Sequence, residues 1–391
     1  MDQKFTSNTE ITSFDELIKF IGVTTISSRA FYGAINLQSI DLTNITTLTN
    51  GANFKDASSL NIVLNMPNYT GVIPYGAFEN TAISGIENLG SATIIQGSAD
   101  VNVGGWGNYA AFRNCTNLKY ANLPSTLTTI QYAAFAGCSQ LIEVNFADKS
   151  SIKEIGIGAF CDVPIEFNID FPNLTGTLGY AAFQNTKIKK VLNLGSISII
   201  DGVDGGHGPY GAWGSWGAFK NCTELTYVNL PTSLTTIGSH AFAGCTSLEI
   251  EDLSLPNLKT IGLFAFNGVK ITKISNLGKL TSLPNLNSNQ NIFGDKTTLI
   301  SVNLPNTLTS IGNNVFNGYS SLTNINLLAS LTNIGSFAFS NCTSIVRIID
   351  LPNLETLGTD AFCISDSKTG SLTGIENLGK ITTINNGSNG S

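Results

Sequence analysis

Charge is scarce in this chain. Lys and Arg together number 20 and Asp and Glu 27 in 391 residues, 12% of the whole, about half the usual share. The formal net charge is −7 and no cluster of Lys or Arg stands anywhere, so nothing is present to neutralise a phosphate backbone, which argues against nucleic acid as a partner. Long apolar runs are missing too. No stretch approaches the roughly 18 residues of a membrane span, so no membrane insertion is expected. The start, "MDQKFTSNTE", has neither the basic region nor the apolar run of a secretory signal; the chain is then either not exported by that route or a mature form. Histidine occurs only at His207 and His240, and the seven cysteines form no C-x-x-C. There is no Ser-His-Asp order and no paired-acid constellation. "GGWG" and "GPYG" lack the strand-to-helix context and the Lys of a nucleotide loop. The reading is of a protein that is not an enzyme and needs no cofactor.

What is present is repetition. Aligning on Ala-Phe and its variants gives fourteen copies from Phe31 to Phe362, spaced 23–27 residues apart except for steps of 34 and 36 before Phe112 and Phe219. The full unit reads F-x-N-C-T-x-L-x-x-V-x-L-P-x-x-L-x-x-I-G-x-x-A, as in residues 219–245. In "LTYVNL", Leu225, Val228 and Leu230 point inward while Tyr227 and Asn229 alternate outward, so each turn offers a short strand to a parallel sheet. A Pro such as Pro124, Pro231 or Pro305 ends it. In Ala241-Phe242 the small residue permits close packing, and the ring fills the core. One turn cannot close a core, but stacked turns can.

A period of 23 with this apolar spacing is a leucine-rich-repeat signature. "LPTSLTTIGSHAFAGCTSL" (230–248) and "LPNTLTSIGNNVFNGYSSL" (304–322) closely resemble the BspA-like class of surface proteins of anaerobic bacteria and protozoa and of proteins of gut bacteriophages. The resemblance covers about residues 20–385. It implies an α/β repeat solenoid, β-dominated, curved and right-handed, of about 14 turns, with roles in adhesion or protein binding, an extracellular or cell-surface setting, and no shared catalytic residue. The same resemblance leaves a phage virion protein, structural or receptor-binding, as the alternative.

The ends break the pattern. Ser13 and Glu16 fit a capping box, and Phe14, Leu17, Ile18 and Ile21 make one stripe, so residues 1–30 read as an N-terminal segment with a short helical cap over 13–21. Residues 31–391 are then the solenoid. The other end, "ITTINNGSNGS", lacks a polar capping unit, which suggests truncation or a partner completing the C-terminal end.

The cysteines keep repeat register. Cys115, Cys138, Cys222, Cys245 and Cys342 follow the Phe by three residues, and Cys161 and Cys363 by one. That pattern argues for small buried hydrophobes instead of metal ligands or disulfides, although Cys115–Cys138 and Cys222–Cys245 lie on neighbouring turns and could bridge if oxidised. His240 occupies a variable surface position. His207 with Asp201 and Asp204 can be drawn as a cation site, but the first insertion has no His and the loop reads as a flexible tether, so no metal site is assigned.

Two surfaces remain for a protein or glycan ligand. One is the outward strand face. There a column of Asp41, Asn122, Asn145, Asn229, Asn303 and Asn326 reads as an amide ladder, while the neighbouring, variable column supplies Tyr120, Glu143 and Tyr227 as ligand contacts. The other is the pair of Gly-rich insertions at about 94–110 and 199–217. They hold all three tryptophans, Trp106, Trp213 and Trp216, with Tyr109 and Tyr210 beside them. Aromatic rings on loops over a rigid scaffold suit binding; the competing reading is that each Trp folds back as a plug. Four turns apart, the insertions would lie about 20 Å from one another at the strand spacing.

Overall fold

The computed structural model describes residues 5–19, 22–98, 109–208, 213–348, 351–364, 374–375 and 379–384. The chain divides into two compact units, Met1–Pro231 and Thr232–Ser391, each a stack of repeat turns. The expected strand is present, but each turn supplies a second one. In the first unit Val63–Asn65, Gly85–Asn88, Tyr120–Leu123 and Glu143–Phe146 form one parallel sheet, and Thr70–Ile73, Ser91–Ile95, Thr129–Ile130 and Glu154–Ile155 form another. The second unit repeats the scheme with a four-stranded sheet from Glu249–Ser254 to Asn324–Asn326 and a five-stranded one from Ser282–Leu283 to Thr383–Ile384. The additional strand comes from the L-x-x-I half of the repeat. Its Thr-Ile pairs are β-branched and suit an extended, half-buried backbone.

Register follows the alternation. Ala121 pairs with Ile86 on one side and Val144 on the other, and all three are buried. Leu225 is fully buried, while Val228 and Leu230, at the last strand of their sheet, are only half-buried.

The repeat phenylalanines form a column of rings. In the first unit Phe5, Phe31, Phe54, Phe78, Phe112, Phe135, Phe160, Phe183 and Phe219 stack in succession with centroids 5.1–5.6 Å apart and planes within 11°. In the second unit Phe242 stacks on Phe266, and Phe293, Phe316, Phe339 and Phe362 follow one another. The backbone locks the same register. Phe78 N–H donates to Ala111 O at 2.8 Å and Phe112 N–H to Ala134 O at 2.9 Å, and the same bond recurs through both units. An Ala before most of these rings, as at Ala77, Ala111, Ala134 and Ala241, lets adjacent backbones come this close. Two residues after the ring the chain turns through the left-handed region, as at Asn80, Asn114, Asn185 and Asn221 (φ 57–59°) or Gly137 and Gly244. Asn and Gly adopt that conformation at least cost.

The N-terminal helical cap is not there. Ser13–Phe14 is a strand paired in parallel with Ser39–Ile40, followed by a 3-10 segment, Asp15–Lys19. The Ser13 hydroxyl donates to Asp15 Oδ2 at 2.7 Å, and Ser39 does the same from the next turn. Phe5 stacks on Phe31, and Phe14 meets Phe31 edge-on and Phe5 at a tilt. The segment is therefore one more turn: the inter-turn ladder competes for the same backbone groups as a helix, and it also packs both half-buried rings on Phe31. Apart from this segment, helix among the described residues is limited to Lys149–Ser151. A 23-residue unit with two strands leaves room only for tight turns, so the α/β expectation becomes a β-solenoid.

Six cysteines are buried, all free, and Cys363 is exposed. The exception corrects the expectation that all seven are packing residues. Nor are the buried ones merely apolar: the thiols of Cys115, Cys138, Cys222 and Cys342 each donate to the carbonyl of the Phe one turn earlier, at 2.9–3.1 Å. Burial pushes the Cys342 thiol up to about 12 and raises Cys138 as well. A maleimide at pH 8 should accordingly label one thiol quickly, at Cys363, and the other six only after denaturation, as counted by intact mass. Truncating a column ring, Phe242→Ala, should destabilise the protein by about 3–5 kcal/mol in denaturant titration, as for other fully buried rings.

Candidate functional site

Both insertions are β-hairpins grown from one place in the repeat. Gly97–Ser98 pairs antiparallel with Tyr109–Ala110, directly after the strand Ser91–Ile95; Gly202–His207 pairs antiparallel with Trp213–Gly217, directly after Ser196–Ile200. The second insertion is thus no flexible tether. Glycine-rich sequence permits this by allowing cross-strand neighbours to lie close: Gly206 faces Gly214 and Gly202 faces Gly217. His207, drawn as part of a cation site, instead lies edge-on to the Trp213 ring at 5.1 Å, and Asp204 accepts from the Ser215 hydroxyl at 2.8 Å.

Each returning strand is fastened by the residue after a repeat Phe. Glu79 Oε2 accepts from Ala110 N–H at 3.1 Å, and Gln184 Oε1 from Gly217 N–H at 3.3 Å. Glu79 is fully buried, so its charge needs cations, and it has two: Arg113 at 2.6 Å and Lys55 at 3.0 Å. Burial alone would pull Lys55 down, but the Glu79 carboxylate, with Asp56 beside it, outweighs burial and holds the ammonium above its usual value. Lys55 also lies 5.2 Å from the Tyr109 ring centre. At the second hairpin Lys220 donates to Ser215 O at 2.7 Å, and burial lowers its pKa against the opposing pull of Asp204.

The tryptophans divide into two kinds. Trp216 is half-buried and packs on a cluster that includes Ala110, Tyr132, Ala133 and Ala181, beside Ile157 and Tyr180. Its Nε1 donates to Gly206 O at 3.0 Å, and its ring fills the space where Gly208 would carry a Cβ. The hydroxyls of Tyr180 and Tyr132 donate to His207 O and Gly208 O, at 3.1 and 3.2 Å, so the hairpin lies back along the preceding turns. Burial pushes the Tyr132 phenol up to about 12. Trp213 is the opposite case, with 71% of its surface exposed, the most of any large apolar residue described. Trp106 and Tyr210 lie outside the described residues, and Tyr109 is half-buried near Tyr75.

Sequence reasoning missed a column. Tyr75, Tyr109, Tyr132, Tyr180 and Trp216 all stand three residues before a repeat Phe, so Tyr109 and Trp216 are register residues of the next turn as well as hairpin residues. The signal was legible as "PYGAF", "NYAAF", "QYAAF", "GYAAF" and "SWGAF".

On the strand face Tyr120 and Glu143 are register partners. Tyr120 is half-buried, lies across Gly85 and donates to Glu87 at 3.3 Å, and Glu143 accepts from Asn145 at 2.8 Å. Tyr227 belongs to another sheet, opposite Lys190, and is 48% exposed. The amide column forms in pieces: Asn145 donates to Asn122, and Asn326 to Asn303. Asn229 bonds the backbone at Leu192 O, and Asp41 accepts from Thr43 within its own turn. All these strand residues belong to the first strand of their turns, whereas both hairpins follow the second.

Glu79→Ala would take the shared carboxylate from the partly buried Arg113 and from Lys55, which would keep only Asp56, and release the first hairpin. A loss of about 3–5 kcal/mol in denaturant titration is expected, the range for breaking a buried ion pair from one side.

The family model of the BspA type leucine-rich repeat region, in six copies, matches residues 3–100, 108–202, 215–287 and 287–388. Among solved structures the chain is similar to a leucine-rich repeat protein from Bacteroides ovatus, at 20% identity over 75% of this chain and 85% of that one with a TM-score of 0.34. It is also similar to a leucine-rich cell surface protein from Faecalibacterium prausnitzii (19% identity, 78% and 89% covered, TM-score 0.33) and to the pneumococcal vaccine antigen PcpA (17%, 82% and 78%, 0.32). No curated protein matches the chain. Superpositions this loose carry no argument, but the family model spans nearly the whole sequence and its repeat is the one the rings and strands above display: the chain belongs to the BspA-type leucine-rich repeat family.

Proposed function

We propose that this chain is a non-enzymatic recognition or adhesion scaffold whose ligand is a protein, held at Trp213 on the second hairpin. The observation that carries the reading is the contrast between the two indoles. A hairpin stapled to the turns by Trp216, Tyr180 and Tyr132 holds a second indole out in water, and a large ring on a rigid mount is the kind of residue that dominates binding energy at protein interfaces. Trp106, Tyr109 and Tyr210 are proposed to belong to the same aromatic surface. A glycan reading is favoured on the strand face instead, where Tyr120, Glu143 and Tyr227 stand outward. Tyr227, half exposed and paired with Lys190, is the freest of these rings.

The test separates binding from folding. The purified chain is screened by surface plasmon resonance against host extracellular proteins and a glycan array. Trp213→Ala should weaken the protein ligand at least tenfold while leaving the thermal midpoint within error, and Trp216→Ala should lower the midpoint. Binding that survives Trp213→Ala and falls with Tyr227→Ala would move the site to the strand face. No binding to any protein probe would contradict the reading.

A further inference from the structure

The Thr232–Ser391 unit carries a pocket of about 570 Å³ that neither hairpin touches. Four asparagines line it, Asn287, Asn314, Asn317 and Asn341, together with Ser288, Ser340, Phe337 and Cys363. No ionisable carboxylate, ammonium or guanidinium is among them. Its size is that of a small-ligand site.

The lining is partly fixed and partly free. Asn314 is held from both ends: its Nδ2 donates to Leu286 O at 2.9 Å, and its Oδ1 accepts from Asn317 Nδ2 at 2.8 Å. Ser340 Oγ accepts from Asn341 at 3.3 Å. Among the described residues the side chains of Asn287 and Ser288 make no hydrogen bond, so a carboxamide and a hydroxyl remain to donate and accept on one wall.

Phe337 stands at φ +57°, two residues before a repeat Phe, a position that is left-handed in most turns and holds Gly76, Ala52, Ala133, Ala181 or Asn314 but also Arg29, His240, Phe264 and Asp360. The left-handed backbone is set by the repeat, and an aromatic side chain is uncommon in it. Phe264 shares the conformation, but its ring stacks on His240 at 4.8 Å. The Phe337 ring has no ring partner among the described residues and is 38% exposed on the pocket.

We propose that this pocket binds a neutral pyranose unit of a glycan. Each amide both donates and accepts, as do the vicinal hydroxyls of a sugar. The flat Phe337 face matches the apolar C–H face of a pyranose ring. With no charge in the lining, a phosphate, sulfate, carboxylate or ammonium group would be desolvated without a counter-charge. This site is independent of the proposed protein ligand, which rests on Trp213 in the other unit.

The experiment uses the full chain with two sets of probes: neutral oligosaccharides (cellobiose, maltose, lactose, chitobiose) and their sulfated or sialylated counterparts, measured by saturation-transfer NMR and calorimetry. At least one neutral sugar should bind, and it should slow maleimide labelling of Cys363 in the lining. Phe337→Ala should weaken that sugar at least tenfold with an unchanged or raised thermal midpoint, since Ala fills the same conformation at Ala52 and Ala133. Asn287→Ala should weaken it several-fold, and Trp213→Ala should leave it unchanged. The proposal is overturned if no neutral sugar binds at millimolar concentration, if only the charged sugars bind, or if binding survives Phe337→Ala.

Discussion

Everything in each unit is registered to the column of repeat phenylalanine rings. A ring every turn, stacked on its neighbours at about the strand spacing, leaves each turn almost no freedom to rotate or slide relative to the next. The Phe N–H bonds to the next turn fix the same register through the backbone, and the buried thiols add a donor from Cys to the earlier Phe carbonyl. A turn cannot shift without breaking ring and backbone contacts at once, and in the turns of Cys115, Cys138, Cys222 and Cys342 a thiol bond as well. The polar composition serves the same end: many Thr, Ser and Asn side chains bond the backbone one turn back, as Thr128 does to Thr93 O and Asn173 to Ser150 O. They are structural rungs that need no counter-charge, which explains how so little charge suffices.

Rigid registration decides where extra chain can go. An insertion must leave and re-enter without moving the ring that follows it, and both do so between the second strand and the next Phe. Antiparallel pairing returns the chain to its point of departure, and Glu79 or Gln184 catches the returning strand. The aromatic residue three places before the ring then closes the hairpin against the turns behind it. Trp216 performs this task with an indole, and Tyr109, at the same position, meets the cation that neutralises Glu79. What projects beyond these anchors, Trp213 above all, is held by the scaffold and not needed by it.

Much of this was legible. The 23-residue period, the inward L-x-x-V-x-L residues and the ring positions are all written as side-chain types at fixed spacing, and packing has to obey that spacing. The parts misread are those where two local patterns competed. Ser13 to Glu16 has the letters of a capping box, yet pairing Ser13–Phe14 with Ser39–Ile40 sets Phe14 against Phe5 and Phe31 and continues the ladder, which a helix would not. "DGVDGGHGPY" looks like a tether because glycine signals freedom locally; the hairpin depends on Tyr132 and Tyr180, some 76 and 27 residues away, and no local pattern announces that contact. The pocket beside Phe337 was invisible for a related reason: its lining comes from several turns far apart in sequence, and the letter Phe at a variable position looks like ordinary tolerance.

The central claim, that neighbouring rings act together to set the register, is tested most directly by a double-mutant cycle. Phe54→Leu and Phe78→Leu, separately and combined, should show a coupling of about 0.5–1.5 kcal/mol by denaturant unfolding, as stacked rings do. The non-adjacent pair Phe54→Leu and Phe135→Leu should be additive. Additivity in the adjacent pair would contradict the account, because the rings would then be filling space independently and something other than the column would have to hold the turns in register.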